Sequence, residues 1–239
     1  EESNIYRDKA NTAHAQLAYP GPSPATAAIA GNATTINISN QALSMSWELT
    51  AQGLRARGVR DEQLQQDLPL AGEAFQIVLA GGQRYTASTL QREGQPRVRE
   101  LQPDPRAARL AARIPGRQVE VSFRSADGRL QGIWRATAQD DANYVRQEVE
   151  LISAQGNLDL QEIRWLDQPL AGARMMGRVD GSPVVAGHFF FGCEEPLAVN
   201  ETKDSQGKAG TPDSGGTVLC RLPRNAVLGE GQSLTVSFV

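Results

Sequence analysis

The sequence predicts an all-β fold, a large antiparallel two-sheet sandwich with very little helix. Apolar and polar residues alternate along most of the chain, and turn residues separate the alternating segments at short intervals. Only two segments, 61–67 and 105–113, carry helix-forming residues, and both are short. A length of 239 residues suits one sandwich of a dozen or more strands, which is more than an immunoglobulin domain contains.

The first 30 residues differ in composition from the rest of the chain. They are rich in Ala, Pro, Ser and Thr, and three prolines between Tyr19 and Pro24 favour an extended backbone. We expect residues 1–30 to form a tail or a strap that lies on the domain, and residues 31–239 to form a single β-sandwich. Clean alternation then begins, and it predicts one shared face for Leu43, Met45, Trp47 and Leu49.

Two hairpins are predicted in the middle of the chain. Gly81-Gly82 separates strand candidates 74–79 and 84–87, and Asp127-Gly128 separates candidates 118–124 and 130–137. The second signal is the stronger one, because an Asp-Gly pair readily adopts the positive φ angles of a tight turn.

The next two strand candidates cover residues 144–152 and 158–166. Strict alternation breaks between Leu160 and Ile163, which predicts a β-bulge there. The three tryptophans, on separate strands, would form a sugar-stacking platform if exposed. Because apolar residues lie two positions away from each, core packing is the favoured interpretation for Trp47, Trp134 and Trp165.

Composition argues against several classes of function. A net charge of −3 offers no basic surface for nucleic acid. The sequence also lacks an apolar run of about 18 residues, the length that a membrane-spanning helix needs. Two histidines are too few for a His-rich metal site. No known nucleophile, phosphate-loop, zinc-protease or dinucleotide motif is present, so we predict no catalytic residue, no metal ligand and no cofactor.

The most informative segment covers residues 179–198, where an apolar run ends in three consecutive phenylalanines. Adjacent strand residues point to opposite faces, so Phe190 should point away from Phe189 and Phe191. Aromatic rings on both faces predict a strand that is covered on both faces. We expect at least two rings to be buried within the domain and Phe190 to be exposed where a further domain would dock.

Polar residues flank this aromatic strand and are the candidate site. His188 precedes it, and Glu194 and Glu195 follow it in a turn between Gly192 and Pro196. Together with Phe190, they are candidates for carbohydrate binding or domain docking. The competing interpretation is a surface histidine and a solvated acidic turn.

Cys193 and Cys220 lie on either side of a polar, glycine-rich loop. They are compatible with one disulfide or with two small buried thiols. We expect the two segments to be neighbours, with Cα atoms within about 7 Å of each other.

Residues 143–239 resemble a family of bacterial secreted proteins related to α-galactosidase-type glycoside hydrolases, some of which are labelled "putative enterotoxin". The similar strings are Tyr144-Val-Arg-Gln-Glu-Val-Glu-Leu151, Leu160-Gln-Glu-Ile-Arg-Trp-Leu166, Asp180-Gly-Ser-Pro-Val-Val-Ala-Gly187, Phe189-Phe-Phe-Gly-Cys-Glu-Glu-Pro-Leu197 and Cys220-Arg-Leu-Pro-Arg-Asn225. The resemblance implies an N-terminal β-supersandwich, similar to galactose mutarotase, that precedes a catalytic (β/α)8 barrel absent from these residues.

The resemblance therefore implies a secreted or periplasmic location and a non-catalytic role for this chain. Its partners would be the C-terminal (β/α)8 domain of the same parent chain and a carbohydrate at the rim of the sugar site. Two alternatives stay open: a stand-alone carbohydrate-binding module, and a mutarotase-like sugar epimerase that uses His188 with Glu194 or Glu195.

Overall fold

The computed structural model describes residues 21–50, 52–203 and 216–239. Of these residues 58% lie in strands and 2% in helix, which confirms the all-β prediction. The strands are β1 (Ala28–Gly31), β2 (Thr35–Ser39), β3 (Leu43–Thr50), β4 (Gly53–Asp61), β5 (Gln66–Pro69), β6 (Gln76–Leu79), β7 (Arg84–Thr86), β8 (Gln91–Leu101), β9 (Gly116–Arg124), β10 (Leu130–Gln139), β11 (Arg146–Ser153), β12 (Leu158–Pro169), β13 (Arg174–Met175), β14 (Val184–Ala186), β15 (Phe189–Phe191), β16 (Val199–Lys203), β17 (Thr217–Leu228) and β18 (Ser233–Phe238).

These strands form three antiparallel five-stranded sheets and one three-stranded sheet. Sheet 1 is a meander of β1 to β5 in chain order. Sheet 2 has the order β18-β11-β10-β9-β8, and sheet 3 the order β16-β17-β12-β6-β7. The small sheet contains β13, β14 and β15. Sheets 2 and 3 therefore each combine strands from distant parts of the chain.

Aromatic contacts show how the sheets pack. Trp47 of sheet 1 meets Trp134 of sheet 2 edge to face, with ring centroids 5.0 Å apart. Trp165 of sheet 3 stacks on Phe238 of sheet 2 at 5.7 Å. Because Trp134 and Phe238 both lie on the inner face of sheet 2, sheets 1 and 3 pack against that one face. All three tryptophans are buried, as predicted.

The predicted hairpins and bulge are confirmed. β6 pairs with β7, and β9 pairs with β10 around a turn in which Gly128 has a φ of +73°. Within β12, the register shifts between Leu160 and Glu162 against both neighbouring strands, at the break in alternation. On β3, Met45, Trp47 and Leu49 are buried and Leu43 packs against the same core.

The two helix candidates are the main local error. Residues 61–67 do not form a helix, because they close the hairpin between β4 and β5. The Asp61 carboxylate accepts the backbone N–H groups of Gln63 and Leu64, both at 2.9 Å, and this side-chain bond replaces helical hydrogen bonding. In the second candidate only Leu110–Arg113 is helical, as one 3-10 turn.

The outer face of sheet 2 is a ladder of ion pairs. Arg135 on β10 donates to Glu120 on β9 and to Glu150 on β11, each at 2.8 Å, and Arg99 on β8 also pairs with Glu120 at 2.8 Å. Opposite charges face one another across adjacent strands and cover the sheet's polar side. This face therefore contrasts with the aromatic inner face.

The predicted strap is only partly within the described residues, because residues 1–20 lie outside them. From residue 21 the chain lies on the domain: Ala27 is buried and its N–H donates to Asp140 at 2.9 Å. Strand β1 begins at Ala28, so the sandwich starts slightly before residue 31.

Candidate functional site

A cleft of about 410 Å³ opens at one end of the sandwich. Sheet 1, the segment before β11, strand β15 and the end of β18 meet there. The lining residues are Ala42, Leu43, Met45, Val59, Asp61, Gln63, Asn143, Tyr144, Val145, Gln147, His188, Phe189, Phe190, Phe191, Phe238 and Val239. We call this feature the β15 cleft. Its size falls within the range of small-molecule sites, about 300–1,000 Å³.

Strand β15 supplies the aromatic part of the cleft. Phe189 and Phe191 are 9% and 5% exposed, and Phe191 stacks with Phe238 at a centroid distance of 6.4 Å. Phe190 is 55% exposed, as its position between two inward residues predicts. The expectation that the strand is covered on both faces is wrong for this chain, because the three-stranded sheet leaves the Phe190 side open.

Gln147 is a buried amide at the inner end of the cleft. It lies on the inner face of β11 and is only 4% exposed. Its Oε1 accepts the indole N–H of Trp134 at 3.3 Å, and this bond orients the side chain. Within the described residues, its Nε2 makes no hydrogen bond, so the amide is free to donate to a ligand in the cleft.

Asp61 and Tyr144 also line the cleft. Two backbone N–H groups hold one oxygen of Asp61 at the β4–β5 turn, which leaves the other oxygen able to accept. Burial, with a smaller contribution from the charge of Glu194, raises the pKa of the Tyr144 phenol. Tyr144 is therefore neutral at physiological pH and carries a hydroxyl that can donate and accept.

The four predicted site residues separate into two pairs. His188 and Phe190 both line the cleft, and both are exposed. Glu194 and Glu195 do not line it. Glu194 pairs with Arg146, and Glu195 lies 3.6 Å from Arg224. These ion pairs anchor the acidic turn to β11 and β17, which is a structural role that the sequence did not indicate.

The two cysteines have free thiols in this structure. Cys193 forms an isolated β-bridge with Phe238, whereas Cys220 pairs with Leu166 and Asn200, so no strand ladder joins the two segments directly. The expected separation of their Cα atoms, within about 7 Å, stays a prediction. Burial raises the pKa of the Cys193 thiol to about 12, with a smaller contribution from the charge of Glu195. Burial also raises the pKa of the Cys220 thiol well above its usual range, with a smaller contribution from Cys193. Disulfide formation stays a prediction, which mass spectrometry of the non-reduced protein would test.

Asp61, Tyr144 and Gln147 were missed as candidates from the sequence. Asp61 fell within a predicted helix, and Gln147 occupies one position in an ordinary alternating strand. The one available signal was Gln147 itself, since a polar residue on the face that carries Val145, Val149 and Leu151 interrupts an apolar row.

The described residues contain neither a candidate metal site nor a membrane-spanning helix. No group of three or more His, Cys, Asp or Glu side chains in residues 21–50, 52–203 and 216–239 is placed to hold a metal ion. The same ranges contain no helix with the length and apolar character needed to cross a bilayer.

No family model and no curated protein matches this chain. Solved structures do. The α-galactosidase AgaB of glycoside hydrolase family GH36 from Geobacillus stearothermophilus matches with a TM-score of 0.51 and 12% identity, over 89% of this chain and 40% of its own. AgaA of the same organism and family matches with a TM-score of 0.52 and 12% identity, over 85% and 40%. At this identity the similarity shows a shared fold, and the chain spans about two-fifths of those enzymes.

Proposed function

We propose that this chain is a non-catalytic β-sandwich domain of a secreted or periplasmic bacterial glycoside hydrolase. It packs against a (β/α)8 catalytic domain in the same parent chain and shapes the rim of that domain's sugar site. The observation that carries the proposal is the match to two-fifths of two α-galactosidases, because a domain of that share leaves room for a separate catalytic domain.

The segment 188–196 is the part that would face the catalytic domain. Phe190 exposes more than half of its surface on a strand whose other two rings are buried. Aromatic residues are enriched in protein–protein interfaces, which supports this surface as the contact with the catalytic domain. Two ion pairs hold the following turn, so the segment presents a fixed shape to a partner.

The mutarotase-like alternative has less support. An acid–base pair would need a free carboxylate close to His188. The pair predicted from the sequence, His188 with Glu194 or Glu195, is not in place, because both glutamates pair with arginines and neither lines the cleft that contains His188. Glycoside hydrolysis by this chain alone is disfavoured for a related reason, since it generally needs two carboxyl groups about 5–10 Å apart across a sugar.

Hydrogen exchange tests the packing. The parent gene product and this chain alone would be compared, together with hydrolysis of an aryl α-galactoside by both. We expect residues 188–196 to exchange at least about tenfold more slowly in the parent protein, and only the parent to hydrolyse the substrate. Phe190→Asp should remove that protection, whereas Val98→Asp on the exposed strand β8 should not.

Two results would contradict the proposal. One is equal exchange of residues 188–196 in the parent protein and in the isolated chain. The other is hydrolysis by the isolated chain that survives the double change Glu194→Gln and Glu195→Gln, which would place an active site within this domain.

A further inference from the structure

The β15 cleft combines an aromatic wall with a small number of fixed polar groups. The rings of Phe190, Phe191 and Phe238 line it together with the polar side chains of Asp61 and Tyr144. A small-molecule site typically has this composition, with apolar walls and a few polar groups that set orientation. A ligand for this cleft would therefore need one apolar face and a polar edge.

Gln147 contributes a hydrogen-bond donor to the cleft. Its Oε1 has a structural role, since it accepts the N–H of the buried Trp134 indole. Its Nε2 makes no hydrogen bond among the described residues and is not one of their buried unpaired atoms, so it is open to the cleft. A ligand hydroxyl in the cleft could therefore accept from this NH₂ group.

The rim adds groups that can donate and accept. Asp61 offers an acceptor oxygen, and Tyr144 a hydroxyl without a hydrogen-bond partner among the described residues. Asn143 and Gln63 add exposed amides, and His188 an imidazole. Such a mixture suits hydroxyl groups, each of which donates one hydrogen bond and accepts others.

The charge of the cleft narrows the ligand class. No arginine or lysine is among its lining residues, all of which lie in the described part of the chain. The nearby Arg146 is already paired with Glu148 and Glu194. A phosphorylated or acidic ligand would therefore find a carboxylate and no compensating cation.

We propose that the β15 cleft binds a neutral pyranose sugar, with its C–H face against Phe190 and its hydroxyls on Gln147, Asp61 and Tyr144. A pyranose ring has the required apolar face and polar edge, and the cleft suits a mono- or disaccharide. Every group that forms the site belongs to this chain, so the isolated chain can bind the sugar. In the parent protein the proposed catalytic domain would cover Phe190, and the two proposals are therefore tested on different proteins.

Titration of the chain alone tests this site. Methyl α-D-galactopyranoside and methyl β-D-glucopyranoside would be added to ¹⁵N-labelled protein, with amide shifts followed by NMR. We expect saturable shifts around residues 61–63, 143–147 and 188–191 with at least one of the two sugars. Galactose 1-phosphate should bind at least about tenfold more weakly than the corresponding neutral galactoside, since its charge has no partner.

Three variants assign the binding to the cleft. Phe190→Ala should weaken binding about tenfold by removing the stacking ring, and Tyr144→Phe about two- to tenfold by removing one hydroxyl. Val227→Ala is the matched control, since Val227 is a similarly exposed apolar residue that does not line the cleft. Its affinity should stay within about twofold of the original.

The proposal is overturned if neither sugar gives saturable shifts, or if Phe190→Ala and Tyr144→Phe bind as tightly as the unmodified chain. Tighter binding of galactose 1-phosphate would equally overturn the neutral class of ligand. None of these results bears on packing against a catalytic domain, which hydrogen exchange of the parent protein tests separately.

Discussion

Two groups of aromatic residues in this protein have opposite environments. Trp47 and Trp134 meet between sheets 1 and 2 and are fully buried, with 0% of each side chain exposed. The rings of β15 lie in a three-stranded sheet at the end of the sandwich, where Phe190 remains 55% exposed. Both groups lie on alternating strands, so alternation does not explain the difference.

The difference arises from what covers each strand. Sheet 1 covers the inner face of sheet 2 at the tryptophans, and the polar outer face of sheet 2 carries ion pairs. The small sheet covers its rings on one side only. A strand with rings on both faces but cover on one is unfavourable in water, because apolar surface stays hydrated. This incomplete burial is the reason that we propose the Phe190 side as a binding surface.

Removal of a buried tryptophan should cause the largest loss in the free energy of unfolding. We expect Trp134→Ala to lower the free energy of unfolding by about 3–5 kcal/mol, because it leaves a large cavity and removes the partner of Gln147 Oε1. Urea denaturation would measure the loss. Trp134→Phe should cost less, since most of the volume stays. A loss below about 1 kcal/mol for the alanine variant would show that the contact between sheets 1 and 2 contributes little to stability.

The comparison is sharpest within β15 itself. Phe191→Ala should lower the free energy of unfolding by about 3 kcal/mol, because this ring is buried against Phe238. Phe190→Ala, one position away, should cost less than about 1 kcal/mol. Thermal and urea unfolding of the two variants would measure the two losses in stability. Equal losses would mean that the two faces of β15 are equally covered, which contradicts the structure.

The ion pairs on the outer face of sheet 2 should contribute less to the free energy of unfolding than the aromatic core does. Arg135→Met should lower the free energy of unfolding by about 1–2 kcal/mol, because Arg135 bonds two half-buried carboxylates. Arg57→Met is the control, since the pair of Arg57 with Glu48 is 3.3 Å long and largely exposed; it should cost less than about 0.5 kcal/mol. The Arg135 effect should shrink as salt is added, and a salt-independent loss would indicate lost packing instead.

The smallest expected effect is the contribution of Glu201 to the stability of the fold at acid pH. Hydrogen bonds from Arg221 lower the pKa of the Glu201 carboxyl in the folded state. Its contribution to stability is therefore fully present above the ordinary glutamate pKa of about 4.3, and is lost as pH falls through the lowered folded value. Melting temperatures of Glu201→Gln between pH 3 and 7 should decline less toward acid than those of the unmodified protein. Parallel curves would show that Glu201 does not contribute.

Much of the fold could be predicted because strand signals are local. The Asp127-Gly128 turn, the bulge after Leu160 and the outward direction of Phe190 each depend on residues only a few positions apart. The helix predicted for residues 61–67 was wrong for a local reason too. The Asp61 side chain bonds the N–H groups of Gln63 and Leu64, and composition alone does not reveal that competition.

The candidate site could be predicted only in part. His188 and Phe190 were found because they flank or belong to an unusual aromatic strand, and both line the β15 cleft. The pairing of Glu194 with Arg146 and of Glu195 with Arg224 depends on which strands lie beside the turn. Strand order in sheets 2 and 3 joins segments that are far apart in sequence, and no short-range pattern encodes that order.

The sequence by itself determined the all-β class, the hairpins and the face on which each side chain lies, because the period of two in a strand is a property of the backbone. Only the tertiary structure decided that Asp61, Tyr144, Gln147 and Phe190 meet in one cleft. They come from three separate segments that share no hairpin. Their meeting depends on how the sheets stack, and stacking is driven by non-directional burial of apolar surface, which leaves no local signature in the chain.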